Sequence, residues 1–457
     1  MSLNRLFAPL CIALAVIAGP LRADSLGDVL RDAYHNSGLL DQNRALLRAA
    51  DEGVAQSLAS LRPVVTWQAQ AVYSANTAST TSSTRLTDNL NATISITTSL
   101  LLHDGGASAL ATEVQKELVL QTREGLVQAE QEILFRAVQA YMEVRRSSEF
   151  LALRHSNVRV INQELQAARD RFEVGEVTRT DVSLAEARLA AAQNLLAAAQ
   201  GGLAQANEEF RAAVGRAPGS LDVVNPAAVE PNLETARSVA VRRHPDVIAA
   251  QHGVAAAELN IRRAQAALNP TLRLSGTLGF NDSGHSNQQL GLTYGGTLYQ
   301  GGQLQSLIRE SQARRDAARS SLLLSSQTVN QNLGNSYAIL RVAQASLAAS
   351  NQQIRAARTA FRGVREEATL GARTTLDVLN AEQELLDAQA NAIGAQADEV
   401  IASYRVLASM GMLTADYLNL GVQSYDPAAY YNLVREAPAT YSQQGQALDR
   451  ILQSIGE

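Results

Sequence analysis

Four stretches of the sequence alternate between apolar and polar residues, the pattern of β-strands with one apolar face. They cover residues 65–73, 90–100, 271–280 and 290–298. The apolar faces hold no charged residue and no histidine, although 18% of the chain is charged, and the opposite faces are mostly small and polar. Strands of about ten residues with this distribution are typical of transmembrane β-barrels that meet lipid. A soluble β-sandwich with one buried face is the alternative.

Helical spacing of apolar residues dominates the rest of the chain. Residues 64–217 and 271–426 contain no proline, which would break a helix interior. Within these segments, residues 107–172 and 303–368 predict two helices of about 65 residues, roughly 100 Å long at 1.5 Å per residue. Helices of this length are typical of coiled coils.

Each predicted pair of strands follows a shorter helical segment. Residues 24–61 and 233–268 each predict one helix, and the strands come directly after them. Between the strands, we expect extended surface loops at residues 74–89 and 281–289, facing the cell exterior. The first loop is rich in Ser and Thr.

Two similar turns, residues 174–182 and 370–378, separate each long helix from a return helix. In each turn a glycine suits the left-handed residue that ends one helix, and a threonine caps the next helix. An aspartate three residues after the threonine completes a capping box. Each turn is therefore predicted to be the tip of a helical hairpin. The residues concerned are Gly175, Thr178, Asp181, Gly371, Thr374 and Asp377.

The two tips belong to a duplication of the chain. The second tip follows the first by 196 positions, whereas Pro270 follows Pro63 by 207 positions. The difference places 11 extra residues in the first copy, in the Ser- and Thr-rich loop. We assign residues 24–232 to the first repeat, 233–411 to the second, and 412–457 to a C-terminal periplasmic tail that packs partly against the repeats.

The predicted hairpin of each repeat, residues 64–102 and 271–299, ends at paired glycines. Glycine lacks a Cβ, so the backbone can turn sharply from a strand into a helix. These strand-to-helix turns are predicted at Gly105, Gly106, Gly301 and Gly302.

The amino terminus and the composition narrow the function classes. Residues 1–23 have the basic start and short apolar run of a secretory signal peptide, and they contain Cys11, the only cysteine. A net charge of −5 gives no support for nucleic-acid binding.

The six histidines show no metal-ligand spacing and no nucleophile motif occurs, so we expect neither an enzyme nor a cofactor. Four strands cannot close a barrel, so the chain must oligomerise; a dimer or a trimer would suffice.

The order of these motifs resembles the TolC family of outer-membrane channel proteins. The resemblance covers residues 24–415 and is most specific at the two tips and the two Gly-Gly turns. It departs at residues 36–38, which lack a proline, and at His244-Pro245, where Asn-Pro is usual.

The resemblance implies an α+β membrane protein with an internal two-fold repeat. Four strands per chain would form a trimeric 12-stranded β-barrel in the outer membrane, continued by a long periplasmic α-helical coiled-coil barrel. The implied function is the exit duct of a tripartite efflux or type I secretion system. Its implied partners are outer-membrane lipid, a periplasmic adaptor (membrane fusion) protein, and an inner-membrane pump or ABC transporter.

By motif position, the resemblance also assigns a periplasmic gate to Arg373, Asp181 and Asp377. Two gate features of the family are missing, because Ala368 replaces a tyrosine and Asn380 replaces an aspartate. All six tip residues named above are expected to contact the adaptor. The alternative is that they only shape the turns and cap helices.

One other class of protein competes with the channel. A periplasmic coiled-coil adaptor or scaffold of an export system would also contain long helical hairpins. It would have no strands that face a membrane, and it would need no detergent for extraction.

Overall fold

The computed structural model describes residues 24–80, 83–423, 425–439 and 442–456. The predicted signal peptide, residues 1–23, lies outside the described residues. The described part contains four strands and ten helices, so the predicted α+β fold with four strands per chain is confirmed.

The four strands form one antiparallel sheet in chain order. They are β1 (Val64–Thr80), β2 (Ser83–His103), β3 (Thr271–Asn281) and β4 (Ser286–Gly295). Because the order is β1-β2-β3-β4, β1 and β4 are the two edges of an open sheet. The central pair of strands joins the two repeats, because β2 belongs to the first repeat and β3 to the second. Their pairing runs from Thr93 opposite Asn281 to His103 opposite Leu272, which is the end nearest the helices.

The prediction of a loop at residues 74–89 is wrong. β1 and β2 stay paired from Ser74–Asn89 as far as Thr80–Ser83, so the 11 extra residues lengthen a hairpin. Threonine is β-branched, which raises its preference for extended backbone, and the loop prediction did not weigh this against the low-complexity composition. The second loop is also shorter than predicted, because only residues 282–285 separate β3 from β4.

The fourth strand ends earlier than predicted. The last pair is Thr271–Gly295, so Gly296 and Leu298, which were assigned to its apolar face, lie beyond the strand. The next partner for Gly296 would be Pro270, which has no N–H to donate to the ladder. A Cβ on Gly296 would also lie only 3.0 Å from the Pro270 Cα, so the two backbones are already close.

The helices continue the strands towards the tips. Along one layer, α2, α3, α6 and α7 are neighbours in that order, matching β1 to β4. The hairpins α3–α4 and α7–α8 extend beyond this layer to the tips. The helices are α1 (Leu26–His35), α2 (Gly38–Ala59), α3 (Ala107–Glu173), α4 (Arg179–Val214), α5 (Leu233–Arg243), α6 (Pro245–Ala266), α7 (Gln303–Thr369), α8 (Thr375–Ser409), α9 (Pro427–Val434) and α10 (Gln443–Gly456).

Each short helical segment, predicted as one helix, is broken into two. In the first repeat, Ser37 caps α2 by accepting a hydrogen bond from the Leu40 N–H, and Asn36 Nδ2 donates to the Val214 carbonyl at 3.0 Å. In the second repeat, His244 caps α6 and Pro245 occupies its first turn. Capping residues at these points stop one helix and start the next.

The largest core lies where these short helices meet the long ones. Tyr141 is fully buried there, and its hydroxyl donates to the Asp24 and Asp222 carbonyls at 2.9 and 2.8 Å. Part of the tail packs nearby, since α9 contacts α2 and the Tyr430 hydroxyl donates to Glu52 at 2.7 Å. None of the helices in the described residues is both long and apolar enough to cross a membrane.

Candidate functional site

The two tips have the same turn geometry. Gly175 and Gly371 have φ of +81° and +77°, which only glycine adopts without strain. Thr178 and Thr374 cap α4 and α8 within capping boxes, accepting from the N–H groups of Asp181 and Asp377. The sequence therefore dictates the turns locally, without help from neighbouring helices.

The two tip aspartates are held ionised by their caps. The Thr178 hydroxyl and N–H donate to Asp181, and these hydrogen bonds lower the pKa of its carboxyl. At the second tip, the N–H and then the hydroxyl of Thr374 lower the pKa of Asp377, with a smaller contribution from Arg373. Both carboxylates are therefore fixed negative charges at the far end of the molecule.

Arg373 lies beside Asp377 but pairs with another carboxylate. Its Nε is 2.8 Å from Glu367 Oε2, and this bond raises the pKa of Arg373. Within one chain, the structure therefore brings Arg373 and Asp377 together and keeps Asp181 on the separate first tip. Asn380 of α8 accepts a hydrogen bond from Arg188 of α4 at 3.3 Å.

A buried polar cluster lies just inside the second tip. Glu382 of α8 is only 6% exposed and accepts a hydrogen bond from Asn157 Nδ2 of α3 at 3.0 Å. Nearby, Arg365 Nε of α7 is 3.2 Å from Glu164 Oε1 of α3. Burial is the main cause that raises the pKa of Glu382 to about 7, and Glu164 adds to it.

Sequence reasoning missed this cluster, although a signal was present. Glu382 occupies the same helix face as Thr375, Leu379 and Leu386, all of which are buried. A carboxylate within an apolar stripe at this spacing indicates a buried charge that needs a partner.

The four glycines between strands and helices all have positive φ, from +57° at Gly301 to +88° at Gly106. In the first repeat Asp104 reinforces the turn, accepting from the N–H groups of Gly106 and Ser108 at 3.0 and 2.7 Å. Gln300 stands there in the second repeat. No group of three or more His, Cys, Asp or Glu side chains in the described residues is arranged to hold a metal ion.

One face of the sheet exposes large apolar side chains. Trp67 is 77% exposed, Leu290 80% and Leu292 63%, and all three belong to the faces predicted to be apolar. A contiguous apolar surface of this kind marks a membrane or a protein contact.

Comparisons with known proteins agree with this architecture. The family model described as "Outer membrane efflux protein" matches residues 29–216 and 236–412, one segment in each repeat. The chain is 33% identical over 422 residues to the outer membrane efflux protein BepC of Brucella suis, covering 91% of both chains. It is 24% identical over 425 residues to the outer membrane protein TolC of Vibrio cholerae, covering 88% of this chain and 94% of that one.

A solved structure shares the fold. The outer membrane protein VceC of Vibrio cholerae superposes with a TM-score of 0.71 at 21% identity, covering 84% of this chain and 96% of that one. With most of its length matched by the family model and by a relative above 30% identity, the chain belongs to the outer membrane efflux protein family.

Proposed function

We propose that the protein is a homotrimeric exit duct that carries solutes across the outer membrane and through the periplasm without a catalytic step. It works with a periplasmic adaptor and an inner-membrane pump or ABC transporter. The observation that carries this proposal is the open four-stranded sheet with an exposed apolar face, in which each strand continues into one helix of a four-helix layer.

The edges of the sheet favour association of chains. Exposed strand edges bind further strands, and a barrel of four strands is too small to close. Three copies joined through β1 and β4 give twelve strands and a matching ring of twelve helices. The apolar faces then meet lipid, and the Ser- and Thr-rich faces line a pore.

Extraction and transport test this proposal together. The protein should require detergent for release from the outer-membrane fraction, and a deletion strain should accumulate a fluorescent efflux substrate. An adaptor or scaffold, the competing class, would be released by salt and would give no conductance in planar bilayers.

The gate is a second part of the proposal. Arg373 and Asp377 of each chain lie at the tip of the α7–α8 hairpin, and Asp181 lies at the tip of the first hairpin. We infer that, in the trimer, Arg373 of one chain meets Asp181 of a neighbour and keeps the tips closed. Its bond to Glu367 is half-exposed, and such bonds are exchanged at small free-energy differences.

The variant Arg373→Ala should raise single-channel conductance and sensitise cells to large antibiotics without loss of the trimer. Val177→Ala changes the matching position of the first tip and serves as the control. If Arg373→Ala and Val177→Ala trimers conduct alike, the gate assignment is wrong. That result would leave the proposal of an exit duct unchanged.

The tips are also the proposed adaptor contact. They lie farthest from the strands, and their exposed residues Glu176 and Ala372 flank the two turns. Photo-crosslinkers at these two positions should capture the adaptor in cells. Capture only from mid-helix positions such as Gln327 would move the docking site away from the tips.

A further inference from the structure

A groove of about 540 Å³ lies between α3, α6 and α7, on the part of these helices nearest the sheet. Its floor is formed by small residues of α6, and its walls include Leu118 of α3 and Leu307 of α7. Arg263 and Arg314 are the only charged residues among those that line it. The polar side chains of Asn260, Gln121 and Ser311 also line it.

The position of the tail identifies the side of the helix layer on which the groove opens. Arg123 of α3 lies 5.6 Å from the ring of Tyr431, so this side of α3 faces the tail. At about 100° per residue, Leu118 and Gln121 lie about 140° and 160° from Arg123 around the helix. The groove is therefore on the face opposite to the tail.

The tail must lie outside the duct. Twelve helices spaced about 10 Å apart form a ring of about 19 Å radius, and three copies of the tail, residues 412–457, would obstruct it. The groove consequently faces the pore. The ion pair between Glu258 of α6 and Arg319 of α7 lies about 160° from Asn260 around α6, and so on the face of the helix opposite to the groove.

The charge in the groove is poorly compensated. Arg263 is exposed and makes no ion pair with any described residue, whereas Arg314 pairs with Glu310 at 2.5 Å.

The groove thus combines the unpaired guanidinium group of Arg263 and the exposed one of Arg314, which is shared with Glu310, with apolar walls. Guanidinium groups bind carboxylates and sulfonates through paired N–H donors, and apolar surfaces bind the rest of an amphiphile. We propose that this groove is a binding site in the pore wall for organic anions that have an apolar body. The inference rests on the proposed duct and adds a ligand class to it. The groove is positively charged, whereas the aspartates at the tips are negatively charged.

Thiol labelling can measure the potential in the groove directly. Cys11 is the only cysteine and belongs to the predicted signal peptide, so single cysteines can be introduced at Asn260, in the groove, and at Gln251, exposed on the opposite side of α6, with Cys11→Ser added in both. The probes are the anionic 2-sulfonatoethyl and the cationic 2-trimethylammonioethyl methanethiosulfonates. We expect the anionic-to-cationic rate ratio to be about three- to tenfold higher at Asn260→Cys than at Gln251→Cys.

Adding Arg263→Gln and Arg314→Gln should remove that difference, whereas Arg263→Lys and Arg314→Lys should keep it. The lysine variants separate charge from packing. Equal ratios at the two cysteines, or a ratio that the glutamine variants leave unchanged, would overturn the proposal.

Ligand binding is tested with 2-naphthalenesulfonate, using neutral 2-naphthol as the control with the same ring system. The sulfonate should block the current of trimers in planar bilayers, and Arg263→Gln with Arg314→Gln should weaken the block about tenfold. Block by both compounds alike, or no change in the variant, contradicts the anion site while leaving the duct intact. Absence of conductance in every trimer would instead contradict the duct.

Discussion

The same residues form different contacts in the two helical hairpins. In the first hairpin, Arg169 of α3 pairs with Glu186 of α4 at 2.7 Å, and both side chains are half-exposed. The residues 196 positions later, Arg365 and Glu382, are not paired with each other. Arg365 pairs with Glu164, and Glu382 is buried against Asn157.

The difference follows from packing rather than from the repeat itself. The α7–α8 hairpin lies against α3, which supplies Asn157 and Glu164, whereas the matching side of α4 remains largely exposed. A duplicated sequence therefore keeps its turns and caps, while its charged residues acquire roles from the element they meet. Substitutions at matched positions can test this conclusion.

Among the matched positions, the largest difference in their effect on stability is expected between the buried carboxyl of Glu382 and the exposed carboxyl of Glu186. The pKa of Glu382 is about 7 in the folded protein, against 4.5 as its ordinary value. The folded state therefore retains a proton that the unfolded chain releases, so stability falls as pH rises from about 5 through 7. A shift of this size corresponds to about 3 kcal/mol.

Glu382→Gln should remove this pH dependence, because glutamine stays neutral and can still accept from Asn157. Thermal unfolding between pH 5 and 8.5 measures it, with Glu186→Gln as the matched control. Parallel stability curves for the wild type and Glu382→Gln would show that the buried carboxyl does not titrate in this range.

The tip glycines should respond alike. A Cβ at Gly175 or Gly371 would contact nothing within 4 Å, so alanine adds only the strain of a positive φ. Each Gly→Ala change should cost about 1–2 kcal/mol. Hydrogen exchange at the two tips measures the local loss, and a much larger effect at one tip would mean that tertiary contacts also hold that turn.

The two threonine caps should show smaller and equal effects. Thr178→Ala and Thr374→Ala each remove a capping box, and helix N-caps contribute about 1 kcal/mol. The corresponding serine variants keep the hydroxyl and should restore most of the stability. Loss of protection at the first turns of α4 and α8 is the readout, and unequal losses would contradict a purely local role.

The smallest effect is expected at the exposed ion pair of the first hairpin. Arg169→Gln should change the free energy of unfolding by about 0.5 kcal/mol or less, because exposed pairs contribute little. Chemical denaturation in low and high salt provides the measurement. A loss above about 2 kcal/mol would mean that this pair is buried by another chain.

The sequence predicted the elements that depend on local chemistry. The alternation of residues 90–100, the Gly-Gly turns and the capping threonines each depend on residues that are close in sequence. They can therefore be recognised without a structure. The two tips could be matched because each contains the same short motif, repeated after 196 positions.

Features that depend on distant residues were not predictable. The end of β4 depends on Pro270 across the sheet. The environment of Glu382 is set by Asn157, which is 225 residues away in the chain. Periodicity could place Glu382 on an apolar stripe, but it could not identify the helix that covers it.

The central claim is that the open sheet of one chain closes only when three copies meet edge to edge. Native mass spectrometry of the detergent-extracted protein tests it most directly, because it counts the chains in each particle. The account predicts one dominant species of three chains, which gives twelve strands. A dominant monomer or dimer would contradict it.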